Sequence, residues 1–129
     1  MKKKNSIVCV LVLLMLLVCI LIRSIKNPEG NIECTINTAL RIQYGWSDIN
    51  NLKKICTKEF IENTNIDDLC LGRRFYSIDK NYMENIQEIS ENEVVIFVNV
   101  YSPDIIIHKF TLIKKENNEY MISQIELDI

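Results

Sequence analysis

Residues Ile7 to Ile22 form an unbroken run of sixteen apolar residues directly after Met-Lys-Lys-Lys-Asn-Ser. No other feature restricts the chain as strongly, because it limits where the remaining hundred or so residues can work. As a helix rising about 1.5 Å per residue, the run covers ~24 Å, slightly less than a typical hydrocarbon core. Lys4 and Arg23 can close that shortfall by snorkelling, with Ser24 and Ile25 extending the helix. The run therefore predicts a cytoplasmic tip and single-pass transmembrane anchor over residues 1–26, followed by one small domain.

Two other fates of the N-terminus compete with this reading. A cleaved signal needs small residues at its cleavage site, and Leu21-Ile22-Arg23-Ser24-Ile25-Lys26 offers no such pair. A lipoprotein needs a small residue before its modified cysteine, and Val18 before Cys19 is too large. Lys2, Lys3, Lys4 and the amino terminus outnumber Arg23 and Lys26, which Glu29 partly offsets. The positive-inside bias then puts the N-terminus in the cytoplasm and the domain outside, on a single-pass cell-membrane protein.

The chain has 15 Lys+Arg against 17 Asp+Glu. Removing Lys2, Lys3, Lys4, Arg23 and Lys26 leaves ten basic residues against all seventeen acidic ones, a net charge of −7 for the part beyond the anchor. That balance argues against nucleic-acid binding. The compact basic pairs Lys53-Lys54, Arg73-Arg74 and Lys114-Lys115 read as solvated faces or strand edges. Residue usage rich in Ile, Asn, Lys and Glu is that of an AT-rich bacterial genome and identifies no function.

Cys9 and Cys19 lie in the anchor as small apolar packing residues. Cys34, Cys56 and Cys70 lie in the domain and leave room for one disulfide and one free thiol, with the pairing open. There is no C-x-x-C, and His108 is the one histidine, so no metal site and no cofactor are expected.

Asn27-Pro28-Glu29-Gly30-Asn31 reads as a linker (27–31) that breaks the anchor helix, leaving 32–129 as the domain. Ile32, Ile36, Ala39, Leu40, Ile42 and Tyr44 fit a helical stripe that Gly45 ends as a C-cap. Ser47 or Asp48 caps a second helix with Ile49, Leu52, Ile55 and Cys56 on its face. Thr57 caps a short third turn, Lys58 to Asn63, with Phe60 and Ile61 inward. Residues 73–78 read as a strand or an extended segment. Met83 to Ser90, Glu93 to Tyr101, Ile105 to Lys115 and Glu119 to Asp128 are four β-prone runs with short polar connections, hence an antiparallel meander. The central strands are apolar on both faces and need cover on each. In the last strand Met121, Ile125, Leu127 and Ile129 are expected to face in, and Gln124, Glu126 and Asp128 out. The fold class is thus α+β: two to three helices on a curved four-stranded antiparallel sheet.

Helices first, a long sheet after them and a terminal strand resemble the cystatin-like, nuclear transport factor 2-like cone. The resemblance spans 32–129. It is carried by Ala39-Leu40, Gly45-Trp46-Ser47-Asp48, Leu52, Phe60 and the terminal hairpin from Phe110 to Glu126, with its charged turn and closing Ile122-Ser123-Gln124-Ile125-Glu126. The resemblance implies helices packed on a concave sheet with a pocket between them. Members of that superfamily include enzymes, ligand-binding proteins and assembly domains, among them anchored scaffolds of type IV secretion machines, so fold alone does not choose.

His108 is the one side chain whose ordinary pKa lies near neutrality. Alternation puts it on the face of Ile106, Phe110 and Leu112. With Asn99 and Tyr101 of the neighbouring strand, His108 and Phe110 define a candidate pocket, for which Asp104 or Glu126 is the candidate partner of a general base. The bland reading is a histidine hydrogen-bonded in the sheet. Isomerases of the superfamily use an Asp base with Tyr and protonated Asp donors. Here the central strands carry no acid beyond Asp104 in the turn, which weakens an enzymatic reading. Tyr44 and Trp46 flank Gly45 as core aromatics or as a candidate interaction surface. Glu88, Glu91 and Glu93 make one hairpin end acidic, a solvated turn or a contact for a basic partner. The leading expectation is a membrane-anchored, extracytoplasmic, non-enzymatic domain that binds a protein partner in the cell envelope. The alternative is a small-ligand or isomerase/hydrolase-like pocket on the same fold. A third reading is a secreted or lipid-modified protein. No oligomeric state follows from the sequence.

Overall fold

A computed structural model describes the backbone of residues 2–26 and 28–128 and the side chains of residues 4–19 and 31–128. The snorkelling of Arg23, the Lys2, Lys3 and Lys26 side chains and the inward-facing Ile129 lie outside the described residues.

Helix α1 spans Lys2–Lys26. Among the described residues, however, no helix is long and apolar enough to cross a membrane. The transmembrane anchor predicted from residues 7–22 is therefore corrected, together with the single-pass and signal-anchor character attached to it. The physical reason is length: sixteen apolar residues fall short of the roughly twenty that a span requires. The side chains from Ile7 to Val18 are exposed, and none belongs to the hydrophobic core.

Helix α2 runs Pro28–Gln43. The stretch 28–31, expected as linker, is its first turn. Proline is tolerated there because its missing N–H would be unpaired at the first helical position anyway. The helix buries Ile32, Ile36, Ala39 and Leu40, the i, i+4, i+7, i+8 stripe of a core-facing helix. Its end is a Schellman stop: the Trp46 N–H donates to the Arg41 carbonyl at 2.8 Å and the Gly45 N–H to the Ile42 carbonyl at 3.1 Å. Gly45 takes φ +75°, as that motif demands. A Cβ on Gly45 would lie 2.9 Å from the Arg73 Cα, so the residue also admits the chain of 71–76 against the helix end.

Asp48 then caps a 3-10 turn, Ile49–Asn51, by accepting from the Asn50 N–H. It leads into α3 (Leu52–Ile55) and, past Cys56, into α4 (Lys58–Asn63), where the Thr57 hydroxyl accepts the Phe60 N–H. Two further 3-10 turns, Ile66–Leu69 and Lys80–Asn85, follow before the sheet is complete. The second occupies the first half of the strand expected from Met83.

The antiparallel sheet has five strands rather than four: β1 (Ser77–Ile78), β2 (Gln87–Ser90), β3 (Glu93–Tyr101), β4 (Ile105–Lys114) and β5 (Tyr120–Asp128). The order is β1-β3-β4-β5, with β2 also beside β3. Its covered face carries Val94, Ile96, Val98, Val100, Phe110, Leu112 and Ile122, all buried against the helices. The opposite face is not covered throughout: Val95 and Thr111 are buried there, while Phe97, Asn99 and Ile105 are exposed. The alternation expected in β5 breaks at a bulge. Thr111 faces Gln124 but Leu112 faces Ile122, so Ser123 is the extra residue. The slip turns Ile122 into the core and leaves Met121 half-buried. Ile122 also ties the helices to the sheet through a parallel bridge from Cys56, and its carbonyl accepts the Thr57 N–H at 2.8 Å.

Two glycines with positive φ give a matched test. Gly72 (φ +87°) has open space around it, so Gly72→Ala should lose only the ~1–2 kcal/mol of an L-residue in a left-handed conformation. Gly45→Ala adds overlap with the Arg73 backbone and should lose ~1–3 kcal/mol more. Urea unfolding of both variants, with unchanged slopes, measures the difference.

Candidate functional site

The four residues of the expected pocket do not come together. In the β3–β4 register Val98 faces His108 and Ile96 faces Phe110, which puts both ring side chains on the covered face. Asn99 faces Ile107 and Tyr101 faces Ile105, on the opposite face. There the Asn99 amide and the Tyr101 hydroxyl both donate to the Asp79 carboxylate, at 3.3 and 3.1 Å.

His108 is a core residue with 0 % exposure. Its Nε2 lies 3.0 Å from the Tyr44 hydroxyl, and its ring lies 5.9 Å from that of Phe110. Burial pushes its pKa down to about 4, so the imidazole is neutral at pH 7. Tyr44 is equally buried; burial raises its phenol, and the Arg74 charge pulls the other way. A neutral phenol beside a neutral imidazole makes one hydrogen bond in either tautomer and leaves His108 Nδ1 without a partner. Neither proposed acid serves as its partner. Glu126 pairs with Lys109 at 3.2 Å, and Asp104 is exposed in the turn before β4 while His108 is fully buried. A general base must reach its substrate, and His108 reaches only the core.

Gln43, which the sequence does not single out, is also fully buried, and neither side-chain polar atom has a partner. Cys56 is buried and its thiol is pushed up to about 12, which removes it as a nucleophile. All five cysteines are free, so no disulfide forms among Cys34, Cys56 and Cys70.

The other pair, Tyr44 and Trp46, divides between core and surface. Tyr44 stacks on Tyr76 at 4.7 Å beneath the segment 71–76, and so is a floor rather than a contact. Trp46 is half-buried and forms the rim. Its indole N–H donates to the Arg74 carbonyl at 2.8 Å, the Arg73 guanidinium lies 4.6 Å over its ring, and Phe75 lies 5.2 Å away. Phe75 is 85 % exposed. Its backbone is held in place, because the Ser102 hydroxyl donates to the Phe75 carbonyl at 2.7 Å. Arg74 clamps the same loop, donating to the Leu71 carbonyl at 2.6 Å and the Ser102 carbonyl at 3.2 Å. The Leu71 N–H in turn donates to the Gln43 carbonyl.

Beside Phe75 opens a shallow groove of about 450 Å³, lined by Arg74, Phe75, Tyr76, Tyr101, Ser102 and Pro103. Arg41 also reaches this end, since its charge opposes the burial that raises the Tyr76 phenol. Among the described residues the ion pairs are Lys58–Glu62 and Lys109–Glu126, so no carboxylate neutralises Arg41, Arg73 or Arg74. A larger cleft of about 680 Å³ lies between α4 and β5, where Phe60, Asn63, Lys115 and Gln124 contribute to its lining. No known family pattern, curated protein or solved structure matches the chain.

Two measurements test this placement. His108 is neutral in the fold down to about pH 4 but titrates near 6.5 once unfolded. Between those values the unfolded state binds the extra proton, so stability is full above pH 7 and falls as the pH drops through 6.5. The loss levels off near pH 4 after ~3 kcal/mol. Urea melts from pH 7.5 to 4 should show this slope, and Tyr44→Phe/His108→Leu should flatten it. Cys34 and Cys70 should react with a thiol reagent in the native state. Cys56 should react only after unfolding, as site-resolved mass spectrometry would show.

Proposed function

We propose that residues 28–128 form a non-enzymatic protein-binding or assembly domain whose contact face is Trp46, Arg73 and Phe75. The observation that carries this reading is Phe75, a phenylalanine almost wholly in water on a backbone fixed by Ser102 and by the Gly45 contact. A large apolar side chain left in solvent on a hydrogen-bonded backbone adds little to the free chain beyond its contact with Trp46, and its burial by a partner is favourable. Trp46 and Arg73 beside it are the residue types that most often dominate binding energy at protein interfaces. Preorganisation by three backbone-directed hydrogen bonds lowers the ordering cost of association.

The alternative of a catalytic pocket around His108 lacks a path for substrate. The kinship with the nuclear transport factor 2-like cone is likewise our reading, supported by the order of helices before an antiparallel meander. Phe75→Ala tests the main proposal. The variant should melt within ~0.5 kcal/mol of the parent, as exposed substitutions do. It should also lose its partner, weakening capture by ~tenfold or more. Quantitative affinity capture with both tagged full-length chains reads the difference. Equal recovery of every captured protein would sink the proposal.

A further inference from the structure

We propose that the aromatic, arginine-bearing face binds the acidic β2–β3 hairpin of a second copy of this chain, head to tail. The proposal rests on the binding face assigned above and names its occupant. Outside α1, the two most exposed large hydrophobic residues among those described are Phe75, at 85 %, and Ile89, at 59 %. They lie at opposite ends of the sheet.

Ile89 is exposed by a specific device. Glu88 faces Val94 while Ser90 faces Glu93, so Ile89 is the unpaired residue of a bulge in β2. A bulge re-aims a side chain out of the regular pleat. Around it stand Glu88 and Glu91, both exposed, and the half-buried Glu93. The tip thus offers an apolar residue with three carboxylates within four positions of it in the chain. The other end offers apolar rings beside guanidinium groups. Arg41, Arg73 and Arg74 are all the arginines beyond residue 26, a part of the chain whose net charge is −7, and they gather at that one end. Strand β4 ends at Lys114, whose N–H donates to the Asn92 carbonyl at 2.7 Å, so one lysine stands beside the three carboxylates and leaves the tip acidic in balance.

The two surfaces are complementary in both respects, since Ile89 can be buried against Phe75 and Trp46 while Glu88 and Glu91 approach Arg73 and Arg41. They cannot meet within one chain. Strand β3 starts at the acidic tip and ends at Tyr101 in the groove, and its nine residues separate the surfaces by roughly 26 Å. Contact between two unlike surfaces of identical chains is heterologous, so it propagates beyond a pair unless the rotation closes a ring.

Sedimentation velocity of the full chain tests this, in a non-ionic detergent that covers the apolar side chains of α1. The parent should show an average mass above one chain that rises with concentration and falls in ~0.5 M salt. Arg73→Glu and Glu91→Arg should each weaken association ~tenfold while melting like the parent. An equimolar mixture of the two should recover it, because each altered surface then meets its complement. Glu91 lies in an exposed turn, so its variant remains informative even where Arg73→Glu perturbs the packing beside Gly45. A parent that stays at the mass of one chain overturns the proposal. So do variants that sediment like the parent, or a mixture that does not recover. Loss of capture by Phe75→Ala together with unchanged sedimentation of Glu91→Arg would leave the binding face standing and remove the second copy as its occupant.

Discussion

The close approach of the Arg73 backbone to Gly45 organises one end of the molecule. A hydrogen in place of a side chain lets residues 71–76 lie against the last turn of α2, where no other residue would fit without displacing them. Once that segment is down, the Leu71 N–H reaches the Gln43 carbonyl and Arg74 reaches both Leu71 and Ser102. Tyr76 then closes over Tyr44, and Tyr44 over His108. One backbone contact therefore links the helix end, the irregular segment and the loop after β3. It also seals the histidine into the core.

The helical part of this arrangement is legible in the chain. The stripe from Ile32 to Tyr44, the glycine stop at 45, the Asp48 and Thr57 caps and the polar connections of the meander each have a local physical signature. What is not legible depends on contacts between distant residues. The loop 102–104 pairs Tyr101 with Ile105, and that register alone decides that His108 stands opposite Val98 and on the other side of the sheet from Asn99. Strand alternation within β4 assigns His108 and Phe110 to one face correctly but says nothing about which residues of β3 share it. Arg73 and Phe75 carry no periodic signal, since their positions come from Gly45 and Ser102. Pro28 was legible only as a breaker, although the same fixed φ suits the first position of a helix.

Buried polar groups divide the core from the surface in an unusual way. Gln43 and His108 each keep polar atoms without partners in the interior, which is costly for a small domain. Meanwhile Phe75 and Ile89 stand in water. Both are departures from local consistency, and such departures concentrate where a chain serves something besides its own stability. The exposed pair has a complementary charge setting, and the interior pair has none.

The fastening of Cys56 and Thr57 to Ile122 bears on how the molecule avoids its own kind laterally. Strand β5 ends the sheet, and a bare edge of that sort invites other strands to add on. The bridge occupies its third residue, Ile122, and beyond it the outward side chains are Gln124, Glu126 and Asp128, all exposed. A strand from another copy laid there would bring carboxylates against carboxylates and would have to displace Thr57 from the Ile122 carbonyl. Addition of a strand at the β5 margin is thus opposed by the Thr57 contact and by these carboxylates.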